Sequence, residues 1–346
     1  MQKAIRYNSA SFWQQKTDHN MSKRLSDEAI RQLVQQEMQA TEALMRAEMQ
    51  SEVPLAELVM QYAIGDGGKR FRPFLTLLSC GLCDYRGEHA ITAAAFIEFI
   101  HNATLLHDDV VDESALRRGK PSANIAFGNA ASVLVGDFLY TRAFQLMVSS
   151  GSLKILDVMA DATNIIAEGE VLQLMNIGNT NITEAEYVQV IQYKTAKLFE
   201  AAAQVGAILA GATPEQETAL KDYGRHIGTA FQIIDDVLDY SGNIEEIGKN
   251  VGDDLAEGKP TLPLIYLMQN AEPPVADAVR HALEHADRSY FEQIHAHVVQ
   301  SDALAYCVSE ARKAVDAALS CLGALPDNEV SQAMRQLAEE SLARVS

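Results

Sequence analysis

A chain of 346 residues with a net charge of −19 is long enough to bury a sizeable core, and its own field repels nucleic acid, anionic lipid and anionic small molecules alike. Any anionic ligand therefore has to be held by bound cations and local basic groups. The four cysteines make no disulfide framework, and no apolar run reaches the length of a membrane-spanning helix.

Residues 1–24 lack an apolar signal core and hold the only tryptophan, Trp13. Helical patterning begins only after Met21, so a disordered tail, or a start placed upstream of the true one, is expected over 1–24, with one domain over 25–346. From there apolar residues recur at three- and four-residue spacing, and Ala, Leu, Gln and Glu are abundant, which predicts an all-α fold. A first amphipathic helix is expected from a cap at Ser26 or Asp27 to about Gln50. Gly65-Asp66-Gly67-Gly68 breaks the pattern, and Lys69-Arg70-Phe71-Arg72-Pro73 opens an apolar helix with proline in its first turn. Glycines and three basic residues thus sit at a helix N-terminus, where free amides favour an anion. A solvated basic loop is the plainer alternative there. Cys80 and Cys83 form a lone C-x-x-C inside this apolar run, which reads as core packing rather than zinc.

The next helix, about His89 to Ser114, carries Leu105-Leu106-His107-Asp108-Asp109-Val110-Val111-Asp112. Residues four apart stack on one face, so Asp108 and Asp112 point together while Asp109 lies about 100° round the cylinder. Like charges at that spacing cost a few tenths of a kcal/mol per pair, roughly, and more on a helix packed through Phe96-Ile97-Glu98-Phe99-Ile100. Something cationic belongs there. One copy could be a solvated acidic face, but Phe231-Gln232-Ile233-Ile234-Asp235-Asp236-Val237-Leu238-Asp239 repeats the spacing after another apolar run. Beyond the first copy, Arg117-Arg118-Gly119-Lys120-Pro121 stops the helix and leaves two arginines, whose forked geometry suits phosphate oxygens. Helices follow from about Asn129 to Ser149 and from Leu153 to Met175. Thr183-x-x-Glu186 is a capping box opening the helix that bears Lys194-Thr195, and Thr213-Pro214-Glu215-Gln216 opens the one leading through Gly224 and Gly228 to the second aspartate motif. A polar loop from Gly242 to Lys259 carries Lys249, Asp253 and Asp254. The remainder reads as helix without a chemical constellation, and no shift in composition marks a second domain.

The two aspartate motifs, Gly68-Lys69-Arg70-x-Arg72-Pro73, Arg117-Arg118, Lys194-Thr195 and Gly258-Lys259-Pro260 come in an order that resembles a trans-isoprenyl (polyprenyl) diphosphate synthase over about Ser51 to Pro263. His101 to Gly136, and Phe199-Glu200-Ala201-Ala202-Ala203, are similar in particular to the members that make octaprenyl diphosphate for bacterial quinones. The resemblance implies an all-α, single-domain orthogonal helical bundle around a central elongated cavity, homodimeric, with the aspartate helices facing across its mouth. It implies head-to-tail addition of isopentenyl diphosphate to an allylic diphosphate, with farnesyl diphosphate as the expected primer and about two or three Mg2+ ions. By position, Asp108 and Asp112 would bind Mg2+ on one side and Asp235 with Asp239 on the other. Arg117, with Lys194 and Lys259, would hold the allylic diphosphate; Lys69, Arg72, His101 and Arg118 would hold that of isopentenyl diphosphate. Thr195 and Gln232 would face the reacting carbons. One departure is Phe231 before Gln232, where the family commonly has glycine.

The residue types suit that chemistry. An allylic diphosphate ionises when hard cations held by carboxylates neutralise its leaving group, and water must be kept from the resulting cation. Ala103 and Thr104, five and four residues before Asp108, are small and would leave the cavity open where an aromatic would close it. A helical turn rises about 5.4 Å, near one isoprene unit, so an eight-unit chain needs on the order of 35 to 40 Å. Phe144 or Met147 would then form the floor. A cytoplasmic enzyme delivering its product to the membrane is the expectation, with a geranylgeranyl or heptaprenyl synthase, or an inactive partner subunit, as alternatives. Glu98-x-x-His101 and Glu292-x-x-His295 also match an element of di-iron bundles, which leaves the duplicated aspartates unexplained. His281 and His285 share a helix face in a polar segment and read as surface.

Overall fold

The computed structural model describes residues 25–65, 68–241 and 252–343. The tail over 1–24, Asp66 with Gly67, and the polar loop over 242–251 including Lys249 lie outside them. Among the described residues the chain is helical apart from one two-residue ladder. There β1 (Leu116–Arg117) pairs antiparallel with β2 (Lys120–Pro121), Leu116 opposite Pro121. No helix among the described residues is long and apolar enough to cross a membrane.

The first expected helix is two. Ser26 caps α1 (Asp27–Gln32) by accepting from the Ala29 amide, and Val34 then leaves the helical region at φ −134°, ψ 22° before α2 (Gln35–Glu48). The break drives Val34 into the core, and Arg86 Nη1 donates to the freed Leu33 carbonyl at 2.9 Å. α3 (Pro54–Ile64) and α4 (Phe71–Leu82) follow.

Two helices organise the bundle. α5 (Glu88–Val111) is apolar on nearly every side between Ala90 and Leu106, with Phe96, Ile97, Phe99, Ile100 and Ala103 fully buried, so it has to run through the middle. It packs chiefly on α7 (Asn129–Ser149), with the short α6 (Ala123–Phe127) leading in, and α8 (Leu153–Met175) comes next. α9 (Glu184–Ile191) opens with the capping box, Thr183 and Glu186 each satisfying the other's amide. It continues through a π-helical turn (Gln192–Ala196) into α10 (Lys197–Leu209). α11 (Pro214–Ser241), the second central helix, packs against α10 and α16 (Ala303–Cys321). Between them run α12 (Asp253–Ala256), α13 (Leu262–Asn270), α14 (Pro273–His285) and α15 (Phe291–Gln300), and α17 (Glu329–Ala343) closes the chain. One hydrophobic core runs through all of this, from Val34 to Leu342.

Both aspartate motifs end a central helix. Asp112 is the residue that caps α5, and Asp235 to Asp239 occupy the last turns of α11. Carboxylates there face the negative end of the helix dipole, which adds to their mutual repulsion.

Candidate active site

Asp108 and Asp112 lie on one face of α5, and each meets a lysine from a distant part of the chain. Lys194 Nζ is 3.7 Å from Asp108 Oδ2 and 2.6 Å from Glu170 Oε2 on α8. Lys259 Nζ is 2.8 Å from Asp112 Oδ2 and 2.6 Å from Glu257 Oε2. Burial and the neighbouring Asp108 charge push Glu170 up to about 7. Burial works against the Lys259 ammonium, yet Asp112, Glu257 and Asp254 together hold its pKa above the ordinary lysine value. Asp109 turns the other way, 3% exposed, and its Oδ1 accepts from Arg117 Nε at 2.9 Å and from Nη2.

The π-helical turn joins the two motifs. A Cβ on Gly169 of α8 would stand 2.5 Å from the Lys194 amide nitrogen, and one on Gly228 of α11 would stand 2.6 Å from Ala196 Cα. The turn is thus clamped between α8 and α11, which aims Lys194 at Asp108 and lets Thr195 Oγ1 donate to Gln232 Oε1 at 2.8 Å. Turns of this type carry one extra residue and recur at functional sites. Gly169→Ala meets immovable backbone rather than a flexible side chain. It is expected to cost about 1–3 kcal/mol of stability, and to lower turnover as Lys194 shifts, checked by thermal denaturation alongside steady-state rates.

In the second motif Asp235 is exposed, while Asp236 is buried and has both oxygens occupied. Gln232 Nε2 donates to Oδ1 at 2.8 Å and Tyr187 OH donates to Oδ2 at 2.6 Å. Asp239 is also buried, but its Oδ2 has no hydrogen-bond partner. Burial, with Asp254 and Asp253 of α12 nearby, pushes Asp239 up to about 9. Among the described residues no three acidic, imidazole or thiol groups cage an ion by themselves. Mg2+ is ordinarily held by one or two carboxylates together with waters and substrate phosphates. Hard oxygen donors on two helices that one turn connects, one of the oxygens buried and orphaned, fit that mode.

The basic residues assemble at the start of α4. Arg72 Cζ lies 4.3 Å above the Phe199 ring, and its Nε has no hydrogen-bond partner. Burial lowers its pKa to about 10, although Glu98 and Asp235 oppose this. Phe199 belongs to an aromatic trio with Phe71 and Phe231, at centroid separations of 5.5, 6.0 and 5.4 Å, which is what Phe231 does in place of glycine. Burial first, then the charges of Arg72, Arg118, Arg117 and Arg70, hold His101 well below the ordinary histidine value, so it is neutral. Arg70 serves the fold, donating to buried Glu98 at 2.8 Å and to the Ile64 carbonyl at 2.7 Å from a left-handed cap position. Arg118 sits beside it, and Lys69 is exposed at the mouth of α4.

The residues expected to limit chain length differ in accessibility. Thr104, one turn before Asp108, is half-buried. Ala103 is fully buried one turn before His107, which contacts the Val133 carbonyl at 3.2 Å and Asp137 at 3.3 Å on α7. Met147 is fully buried on α7, and Phe144 lies against Tyr140 at 5.7 Å. Glu170 and Tyr187 were not among the residues singled out from the sequence, and Glu98 was noted only as half of a Glu-x-x-His pair. Glycine beside Glu170 in a strong helix was the available signal; for Tyr187 there was none.

The polyprenyl synthetase family model matches residues 53–299. The octaprenyl diphosphate synthase of Escherichia coli (strain K12) is 51% identical over 318 residues, covering 92% of this chain and 98% of that protein. The all-trans-nonaprenyl-diphosphate synthase (geranyl-diphosphate specific) of Rhodobacter capsulatus is 44% identical over 313 residues, covering 90% and 96%. A crystal structure of a polyprenyl synthase from Caulobacter crescentus CB15, complexed with calcium and isoprenyl diphosphate, superposes with a TM-score of 0.90. It is 41% identical and the match covers 94% of this chain and 99% of that one.

Proposed function

Since this chain belongs to the polyprenyl synthetase family and is a long-chain trans-prenyltransferase, we propose that it extends farnesyl diphosphate with isopentenyl diphosphate to octaprenyl diphosphate, using Mg2+. The observation that carries this reading is the clamped turn through which Lys194 reaches Asp108 and Thr195 reaches Gln232, so that one short segment touches the helix of each aspartate motif. The identity to an octaprenyl synthase favours eight units.

Asp108 and Asp112 would hold Mg2+ from α5, and Asp235 with Asp239 from α11. When bound, Mg2+ would supply the positive charge that the leaving diphosphate needs. Arg117, Lys194 and Lys259 orient the allylic diphosphate. Lys69, Arg72, His101 and Arg118 hold the diphosphate of isopentenyl diphosphate, and neutral His101 adds a hydrogen bond without adding charge. Thr195 and Gln232 border the reacting carbons, and the Phe71, Phe199 and Phe231 wall keeps water from them. No nucleophilic side chain is needed, since the released diphosphate can accept the proton. The work is positional and electrostatic. We place the enzyme as a homodimer in the cytoplasm, handing its product to the membrane.

Purified chain with Mg2+, farnesyl diphosphate and labelled isopentenyl diphosphate is expected to give a product ladder ending at eight units. A ladder ending at four or seven units would return the medium-chain reading. No incorporation without a second protein would make the chain a partner subunit.

A further inference from the structure

Glu98 is a carboxylate buried in the middle of α5, 2% exposed, to which the proposed reaction assigns no role. A buried charge is tolerated when it is paired and hydrogen-bonded, and Glu98 is both. Its Oε1 accepts from Arg70 Nη1 at 2.8 Å and from Asn102 Nδ2, one turn along the same helix, at 3.2 Å. Arg70 in turn stands at a junction. Its backbone is the cap of α4 at φ 47° and ψ 37°, a left-handed conformation that a residue with a Cβ adopts only when its surroundings hold it there. Its Nη2 donates to the Ile64 carbonyl at the end of α3 at 2.7 Å. One guanidinium thus ties the end of α3 and the start of α4 to α5. Gly68 lies against it, since a Cβ there would stand 3.0 Å from Arg70 Nη1 and 3.3 Å from Arg118 Nη2. The two guanidiniums are therefore neighbours. The charge of Glu98 is also the strongest of those that oppose the effect of burial on Arg72 and on Arg118.

We propose that Glu98 is a positioning residue for isopentenyl diphosphate: its contact with Arg70 holds the left-handed cap, which sets Lys69 and Arg72, on either side of that cap, beside His101 and Arg118. This rests on the proposed assignment of Lys69, Arg72, His101 and Arg118 to that diphosphate. A carboxylate is otherwise adverse here, because a negative charge beside an anion site repels the anion. The same charge offsets the mutual repulsion of Arg70, Arg72 and Arg118 in the empty site and keeps them close enough together to grip one diphosphate. His101 lies one turn from Glu98, about 60° round α5, so the carboxylate and the imidazole serve the same cluster from one helix.

Charge and placement therefore act with opposite sign. Loss of the Glu98 charge by itself would tighten diphosphate binding, whereas loss of the placement weakens it. Glu98→Gln, which keeps the shape, is expected to raise KM for isopentenyl diphosphate about tenfold or more, with kcat and KM for farnesyl diphosphate within about threefold of the parent. Removing one partner of a buried pair also destabilises the protein, so a second variant removes the pair whole. Arg70→Met/Glu98→Gln is expected to regain most of the melting temperature lost in Glu98→Gln and to keep the raised KM. Should Glu98→Gln fail to fold, the double variant decides. A parental or lowered KM for isopentenyl diphosphate in Glu98→Gln, or a rise shared equally by both substrates, overturns the inference. So does a double variant that regains the parental KM together with the stability, for Glu98 would then support the fold alone. Arg72→Ala tests the premise: a parental KM for isopentenyl diphosphate in that variant overturns the assignment of the basic cluster itself.

Discussion

Alanine at both Asp108 and Asp235 is expected to slow chain growth at least about 10^3-fold while leaving the fold intact. Each replacement removes a charge that the surrounding structure has to compensate rather than one that supports it. Asp108 ends a helix against its own dipole and shares Lys194 with Glu170, and Asp235 is exposed at the end of α11. Losing one electrostatic stabiliser of a developing charge costs on the order of 10^2- to 10^3-fold in similar settings. On the proposed assignment one is taken from each motif, so neither can take over for the other. Single-turnover rates with labelled isopentenyl diphosphate, read with thermal denaturation of the same protein, check both halves. Undiminished elongation in the folded double variant would remove the basis for assigning the cleft to diphosphate chemistry.

Thr104→Phe is expected to shorten the product from about eight units to about three or four, with the rate of the first condensation changed far less. Thr104 lies one turn before Asp108, near the same face and half-buried, so on the proposed site assignment a ring placed there would stand about one isoprene unit from the aspartates, in the path of the growing chain. The same substitution at Ala103 differs. That methyl is fully enclosed, and a ring there is expected to cost about 1–3 kcal/mol of stability before it trims anything. Separating the products of each variant by chain length, beside their melting curves, distinguishes a blocked tunnel from a strained core. Unchanged product lengths in Thr104→Phe would place the growing chain elsewhere.

Much of the site was legible because its chemistry is written as local spacing. Two Asp-Asp-x-x-Asp repeats, a basic run before Pro73 and paired arginines after a helix stop need no partner to be recognised, since charge repulsion on an apolar helix already calls for a cation. Helix limits followed from the same local rules where caps were strong, as at Thr183 and Thr213. They failed at Leu33 and Val34, where burial of one valine outweighed the continuing helical pattern.

What stayed hidden depends on contacts between residues far apart in the chain. The pairing of Lys259 with Asp112 spans 147 positions. Glu170 matters only because Gly169 lets α8 touch the turn carrying Lys194, and Tyr187 only because it reaches Asp236 from another helix. The amino-acid order by itself determined which helices carry the aspartate motifs and the basic residues, because a helix places residues by counting alone. Only the tertiary structure decided which carboxylates are buried and which distant side chains they meet, since that is settled by what packs against the helix from outside it.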